Sequence, residues 1–215
     1  MGLRSRFFAF TYDRFSKGSE EAGLAEMRKN LIGGASGDVF EIGGGTGANL
    51  GYYGAGVASL TITEPEPPML KRLERKAREQ NSQATVLRAP AEDLPFADAS
   101  FDTVVSTLVL CGVDDQPRVV RELRRVLRPG GRLIFIEHVR SNDARVAKMQ
   151  DRMNPLNRFM VCCDCNRPTL ESIRSAGFEV TGLEQTELPK APPFVRPLII
   201  GTATAPVTRA TTSPR

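Results

Sequence analysis

Asp38-Val39-Phe40-Glu41-Ile42-Gly43-Gly44-Gly45-Thr46-Gly47 is the stretch on which the fold turns. A short apolar run, Asp38 to Ile42, reads as a β-strand and ends directly in glycines. Glycine lets the backbone turn tightly and lets a ligand approach main-chain N–H groups with no Cβ in the way. Open α/β sheets bind their ligands at the carboxyl ends of parallel strands, where this loop falls.

Outward from that loop the chain alternates strands and helices. ANLGYY begins a helix, ASLTIT is a second strand and PPMLKRLERKAREQ a charged amphipathic helix. ATVLRA is strand three, FDTVVSTLVL a β-branched strand four, PRVVRELRRVLRPGG a helix ended by Pro-Gly-Gly, and RLIFIEHV strand five. Before the loop, SEEAGLAEMRKNLIGG reads as a helix capped by Ser19, with Leu24, Met27 and Leu31 at helical spacing and Gly33-Gly34 as its stop. After strand five, DARVAKMQDRMNPLNRFM is helical and broken by Pro155, and TLESIRSAGF is helical to Gly177. Two strands, FEVTGLEQTEL and FVRPLIIGTAT, follow. Strands alternating with helices imply right-handed crossovers and a parallel sheet covered on both faces. The expectation is a single α/β domain over 1–205: a Rossmann-like, seven-stranded, mostly parallel sheet with a C-terminal antiparallel hairpin and helices on both faces. Within it, 1–35 would be a helical lid and 140–176 an insertion covering the substrate, with 206–215 a disordered tail.

Composition narrows the function. The 215 residues carry a net charge of +4, which brings nucleic acid or an anionic membrane into consideration. The basic residues are spread along the chain, however, and Arg118, Arg121, Arg125 and Arg128 read as the solvated stripe of one helix. No nucleic-acid partner is expected. The start, MGLRSRFFAFTYDRFSKG, contains no run near the roughly 20 apolar residues of a membrane span. Cys111, Cys162, Cys163 and Cys165, without a secretion signal, point to a reducing cytoplasm. One isolated C-x-x-C and a single histidine, His138, are too few for a zinc site, so no metal is expected.

Gly43-x-Gly45-x-x-Ala48, with Glu64 ending strand two, also matches a dinucleotide fingerprint. Charge sign separates the two ligand classes. Glu41, at the loop's entrance, would face a pyrophosphate badly and a cationic amino or sulfonium group well. Two further motifs point the same way: Ala91-Glu92-Asp93-Leu94-Pro95-Phe96 ahead of Phe101-Asp102, and Leu127-Arg128-Pro129-Gly130-Gly131 ahead of strand five. Over residues 36–140 these motifs together resemble the class I methyltransferases dependent on S-adenosylmethionine (SAM), in the branch of the quinone-biosynthesis C-methyltransferases. The resemblance implies SAM as cofactor and S-adenosylhomocysteine as its product. It implies that Gly43, Gly45 and Gly47 cradle the methionine part, and Glu41, Thr46 and Asn49 are further candidate cofactor-binding residues. Glu64 would bind the ribose hydroxyls, with Pro65 and Met69 beside it, and Ala91 and Glu92 would flank the adenine. Thr107 and Leu108 would lie beside the methionine moiety, and Tyr12 would close over SAM or staple the first helix. Many relatives carry an aspartate where this chain has Pro90, and proline cannot bond the adenine amino group.

The later segments carry a second resemblance. Thr107 to Cys111, Glu137-His138-Val139, Asp164 to Thr169, and Val195-Arg196-Pro197 with Ile200-Gly201 are similar to the alkyl-thiol methyltransferases and related bacterial small-molecule enzymes. The mammalian members' apolar N-terminal anchor has no counterpart here, so their membrane attachment is not carried over. The implied reaction is S-methylation of a small-molecule thiol. A free thiol is already a few per cent thiolate at neutral pH and strongly nucleophilic, so the chain needs to supply little beyond orientation. His138, after strand five, is the candidate base; the other reading is a hydrogen-bonded histidine that shapes the pocket. Cys111, Asp164 and Arg167 are candidate substrate residues, or a buried thiol and ordinary loop residues. Alternative functions are C- or O-methylation of a quinone or phenol, an NAD-dependent oxidoreductase, and a SAM- or nucleic-acid-binding module without catalysis.

Overall fold

Val39, Val105 and Ile134 pack on one face of a sheet with Ile32, while Phe40, Val104 and Leu133 pack on the other with Val119 and Ile173. The computed structural model describes Arg14 and residues 16–207. Tyr12 and most of the expected tail lie outside the described residues. A π-helical turn (Glu20–Leu24) leads into α1 (Ala25–Ile32), then β1 (Gly37–Ile42), β2 (Val57–Thr63), α2 (Pro67–Glu79), β3 (Thr85–Leu87) and β4 (Phe101–Thr107). α3 (Gln116–Val126), β5 (Leu127–His138), α4 (Ala144–Val161), α5 (Thr169–Ser175), β6 (Glu179–Glu187) and β7 (Pro197–Thr204) follow.

The strand order is β3-β2-β1-β4-β5-β7-β6. All pairs from β3 to β5 are parallel, and β7 runs antiparallel to both β5 and β6. The expected Rossmann-like sheet with a C-terminal antiparallel pair is therefore present. From β1 the chain first goes to β2 and β3, then crosses to β4 on the other side. That reversal opens a crevice at the carboxyl ends of β1 and β4.

Local chemistry explains the helices. α2 starts on prolines, whose missing N–H costs nothing in a first turn, and buries Met69, Leu73 and Ala77 at four-residue spacing. α3 is capped by Asp115, which accepts from Arg118 N at 3.0 Å, and α4 by Asp143, which accepts from Arg145 N at 2.7 Å.

Several sequence expectations are corrected. No helix forms after β1: Gly45 to Tyr52 is a run of turns closed by short-range bonds such as Gly47 N to Gly44 O, 2.8 Å. Gly51, inside the expected ANLGYY helix, makes a helix there unfavourable by about 1 kcal/mol, and Gly43 to Gly47 ahead of it favour turns. Ser19 is no cap. It has helical torsions, and its hydroxyl donates to Pro189 O at 2.7 Å. Pro155 does not break α4, because bonds on both sides hold the helix to the following loop. Asn154 and Asn157 donate to Asp164 and to Cys163 O, at 2.8 and 2.7 Å. α3 ends at Val126 rather than at Pro-Gly-Gly, since Leu127 already pairs with Phe101. Arg128 consequently leaves the supposed stripe and bonds Asp102 at 2.6 Å and Asp38 at 3.0 Å. Arg125 is no free surface cation either: it binds Glu122, Asp98 and the carbonyls of Leu94 and Phe96.

Candidate functional site

The glycine loop leaves β1 at the crevice. Gly43 and Gly45 both have positive φ, 60° and 56°, which L side chains rarely adopt. Their surroundings differ. A Cβ on Gly43 would meet the Val109 side chain at 2.8 Å, so that glycine permits close packing of two loops. A Cβ on Gly45 would meet nothing within 4 Å, so its face is open. Glu64, one residue past β2, closes the loop's other side. Its Oε2 accepts from Gly45 N and its Oε1 from Glu66 N, each at 2.9 Å. Burial raises its pKa, partly offset by those two N–H groups. A carboxylate held this way can accept further hydroxyls, such as a ribose diol. Pro65 beside it is exposed, and Met69 is buried in α2.

Behind the loop lies a polar network in an otherwise apolar layer. Arg28 of α1, only 2% exposed, donates from Nη1 to Asn49 Oδ1 at 2.8 Å and to Thr107 Oγ1 at 3.0 Å. Its Nε donates to Glu20 at 3.1 Å. Asn49 Nδ2 donates to Glu41 Oε1 and to Thr107 Oγ1, both at 2.9 Å, and Tyr53 donates to the other Glu41 oxygen at 2.5 Å. Burial pushes the Glu41 carboxyl up, against those two donors. Glu41, expected to face a cation, accepts one bond on each oxygen from within the protein. Sequence reasoning missed Arg28. Its partners lie 21 and 79 residues away, so no local pattern marks it.

The strand ends complete the crevice. Leu108, just past β4, has φ 58°, a strained value for leucine, and its N–H bonds Ile136 O at 2.7 Å. Glu137 fixes the loop that follows: its buried carboxylate accepts from Ser106 Oγ (2.7 Å), Val109 N and Leu110 N (both 3.1 Å). Burial raises its pKa to about 7. Side chains alternate along a strand, and Ile136 packs with Leu24 of the N-terminal helical segment. His138, two residues on, therefore shares the face of Ile136 and Thr107. It is 5% exposed, its Nδ1 has no partner, and burial lowers its pKa to about 4. The ring is neutral at physiological pH.

The remaining expected residues divide. Ala91 is buried, and Glu92 accepts from Asp114 N at 3.0 Å, joining the loops after β3 and β4. Pro90 is exposed and Thr46 buried. Cys111 is buried with Cys163 and Cys165, and a bond to Cys163 together with burial pushes its thiol well above the usual range. Asp164 accepts from Arg158, from Arg167 at 2.6 Å and from Asn154 at 2.8 Å. Arg167 also donates to Leu110 O at 3.2 Å, so this pair ties the segment after α4 to the loop after β4.

The family model described as a methyltransferase domain matches residues 40–135. Human thiol S-methyltransferase TMT1B is 38% identical over 193 residues, covering 86% of this chain and 78% of that protein. The chain belongs to the SAM-dependent methyltransferases. Human thiol S-methyltransferase TMT1A is 34% identical, over 83% of this methyltransferase and 76% of its own length. In fold, the enzyme is similar to a Thermotoga maritima SAM-dependent methyltransferase described as a possible histamine N-methyltransferase. The TM-score is 0.70 at 22% identity, over 95% of this chain and all of that one. The crevice fits the cofactor: Gly45 leaves an open face, Glu64 offers a carboxylate, and Arg28 brings a buried guanidinium to the same end of the sheet. No helix among the described residues is long and apolar enough to cross a membrane.

Proposed function

We propose that this enzyme methylates the sulfur of a small-molecule thiol. The observation that carries the reading is the 38% identity to a thiol S-methyltransferase over 86% of the chain, well beyond the matched domain at 40–135. Bound SAM supplies an electrophilic methyl on a sulfonium that leaves as a neutral thioether. The chain's task is then alignment and exclusion of water. In this reading Gly43, Gly45, Gly47 and Thr46 line the methionine end. Glu64 takes the ribose hydroxyls, and Ala91, Glu92, Pro65 and Met69 border the adenosine. Thr107 and Leu108 flank the reacting end, with the N-terminal helices over it and the Asp164–Arg167 segment beside the acceptor. A cytoplasmic setting suits the four free cysteines.

His138 fits an orienting role better than a proton-removing one. An imidazole lowered to about 4 is a poor base for a thiol that ionises near ~8.5. Its Nδ1 is buried and the ring bonds the backbone of Val195 and Pro197, so His138 shapes the strand end beside the crevice instead of touching the sulfur. A thiolate needs no more.

The test is methyl transfer from labelled SAM to a panel of thiols, phenols, amines and a demethylated quinone. Label on thiols, with kcat/KM rising as the thiol ionises and His138→Ala keeping that profile, supports the reading. Label on the quinone or a phenol instead refutes it.

A further inference from the structure

Four cysteines carry free thiols, and three of them, Cys111, Cys163 and Cys165, are buried in one cluster with Val161 and Phe194 packed against it. Methyl transfer gives them no task. Cys111 lies on the loop after β4, just beyond Leu108, and Cys163 on the segment after α4. Asp164 N donates to Cys111 O at 2.8 Å, and a Cβ on Gly112 would meet Cys162 O at 3.0 Å, so the two segments run side by side. Backbones joined by such a bond lie ~5–6 Å apart, the Cα separation that a disulfide spans. The side chains meet as well, since a hydrogen bond joins the thiols of Cys111 and Cys163. Cys165 turns to α4 instead, where its N–H and its thiol donate to Asn154 Oδ1 at 3.0 and 3.7 Å. Cys162, the other half of the C-x-x-C, lies outside the buried cluster. No three candidate ligands among the described residues are placed to hold a metal ion, so what the cluster offers is a dithiol.

We propose that Cys111 and Cys163 form a reversible dithiol–disulfide site, oxidised by a low-molecular-weight disulfide, that fastens the segment after α4 to the loop after β4. Cys163 is the more exposed of the pair, 9% against 2%, so it meets the oxidant first. Its sulfur, on losing its proton, attacks one sulfur of the small disulfide, whose S–S bond breaks, and the departing thiolate takes up a proton. The Cys111 sulfur then loses its proton and attacks Cys163 in that mixed disulfide, forming the protein S–S bond and releasing the second thiol. Two protein thiols are oxidised while one small disulfide is reduced to two thiols. Burial keeps bulky reagents out, so a small uncharged disulfide is the class that fits. The bridge makes permanent a join that Asp164 N to Cys111 O and Arg167 to Leu110 O, 3.2 Å, make reversibly. On the thiol-acceptor reading proposed above, the oxidised acceptor is itself such a reagent; the chemistry of the pair does not depend on that reading.

The test treats the folded full-length chain with hydroxyethyl disulfide, then denatures and alkylates it and maps its peptides by mass without reduction. The expected product joins Cys111 to Cys163, with Cys162 and Cys165 alkylated and the bridge reversed by dithiothreitol. Its melting midpoint should rise by roughly 5–15 °C, because the cross-link restricts the unfolded chain. Cys111→Ser should stop at a hydroxyethylthio adduct on Cys163, and Cys165→Ser should still bridge. A bridge between Cys162 and Cys165, an adduct in place of a bridge in the wild type, or four thiols left unmodified overturns the proposal. A bridge that lowers the midpoint overturns the fastening role. Should Cys111→Ser fail to fold, the wild-type map and Cys165→Ser still decide. Because the map reads protein thiols, an enzyme found to methylate oxygen or carbon would sink the thiol-acceptor reading and leave this site standing.

Discussion

Glu137 illustrates how one buried group can govern a loop. Ser106 of β4 and two N–H groups of the loop after it converge on its carboxylate, and that loop carries Val109 against Gly43. Its folded pKa, about 7, lies above the unfolded value, so its contribution to stability is fully present below about 4.5 and is lost as pH rises through 7. Glu137→Gln is expected to be less stable by about 1–3 kcal/mol at pH 5, because either placement of its amide leaves at least one N–H facing an NH2 that cannot accept. Its deficit relative to wild type should shrink by pH 8; urea unfolding at both pH values checks this, and a deficit that grows would contradict the assignment. The residue scale is also where sequence reading was weakest. Gly43, Gly45 and Glu64 could be named as candidates because they adjoin one strand end or the next. Arg28 could not, and Glu137 entered only as part of a motif, because a buried charge shows its purpose only through partners brought together by folding.

At the scale of elements, strands were legible and helix ends less so. β-branched runs such as Phe101–Thr107 admit few other conformations. Helix boundaries depend on tertiary bonds, as at Ser19, whose hydroxyl serves the loop before β7 instead of a cap. α4 is the sharpest case, continuing through Pro155 because the asparagines and Gln150 anchor it to residues 163–165. Proline inside a helix costs roughly 3 kcal/mol. Pro155→Ala is therefore expected to stabilise the protein by about 1–3 kcal/mol. In a chain of this size that raises the melting midpoint by several degrees in calorimetry. An unchanged or lowered midpoint would mean that α4 is strained around the proline in some other way.

For the whole molecule, the order of elements sufficed for the sheet, since right-handed crossovers leave few topologies for that alternation. The crevice draws on α1, β1, β2, β4 and β5, so a ligand there ties together both halves of the sheet. S-adenosylhomocysteine at a hundredfold over its Kd should stabilise the fold by about 2.7 kcal/mol and shift the melt as one transition. A split transition, with only part of the chain protected, would contradict a shared site. β7 has one more consequence. It is the last strand among the described residues, yet it is wedged between β5 and β6. During synthesis β6 emerges first and finds no neighbour to pair with, while β5 presents a bare edge. The ribosome must release β7 itself before that edge is covered, so until then the nascent β5 and β6 keep backbone groups that only water or another chain can satisfy.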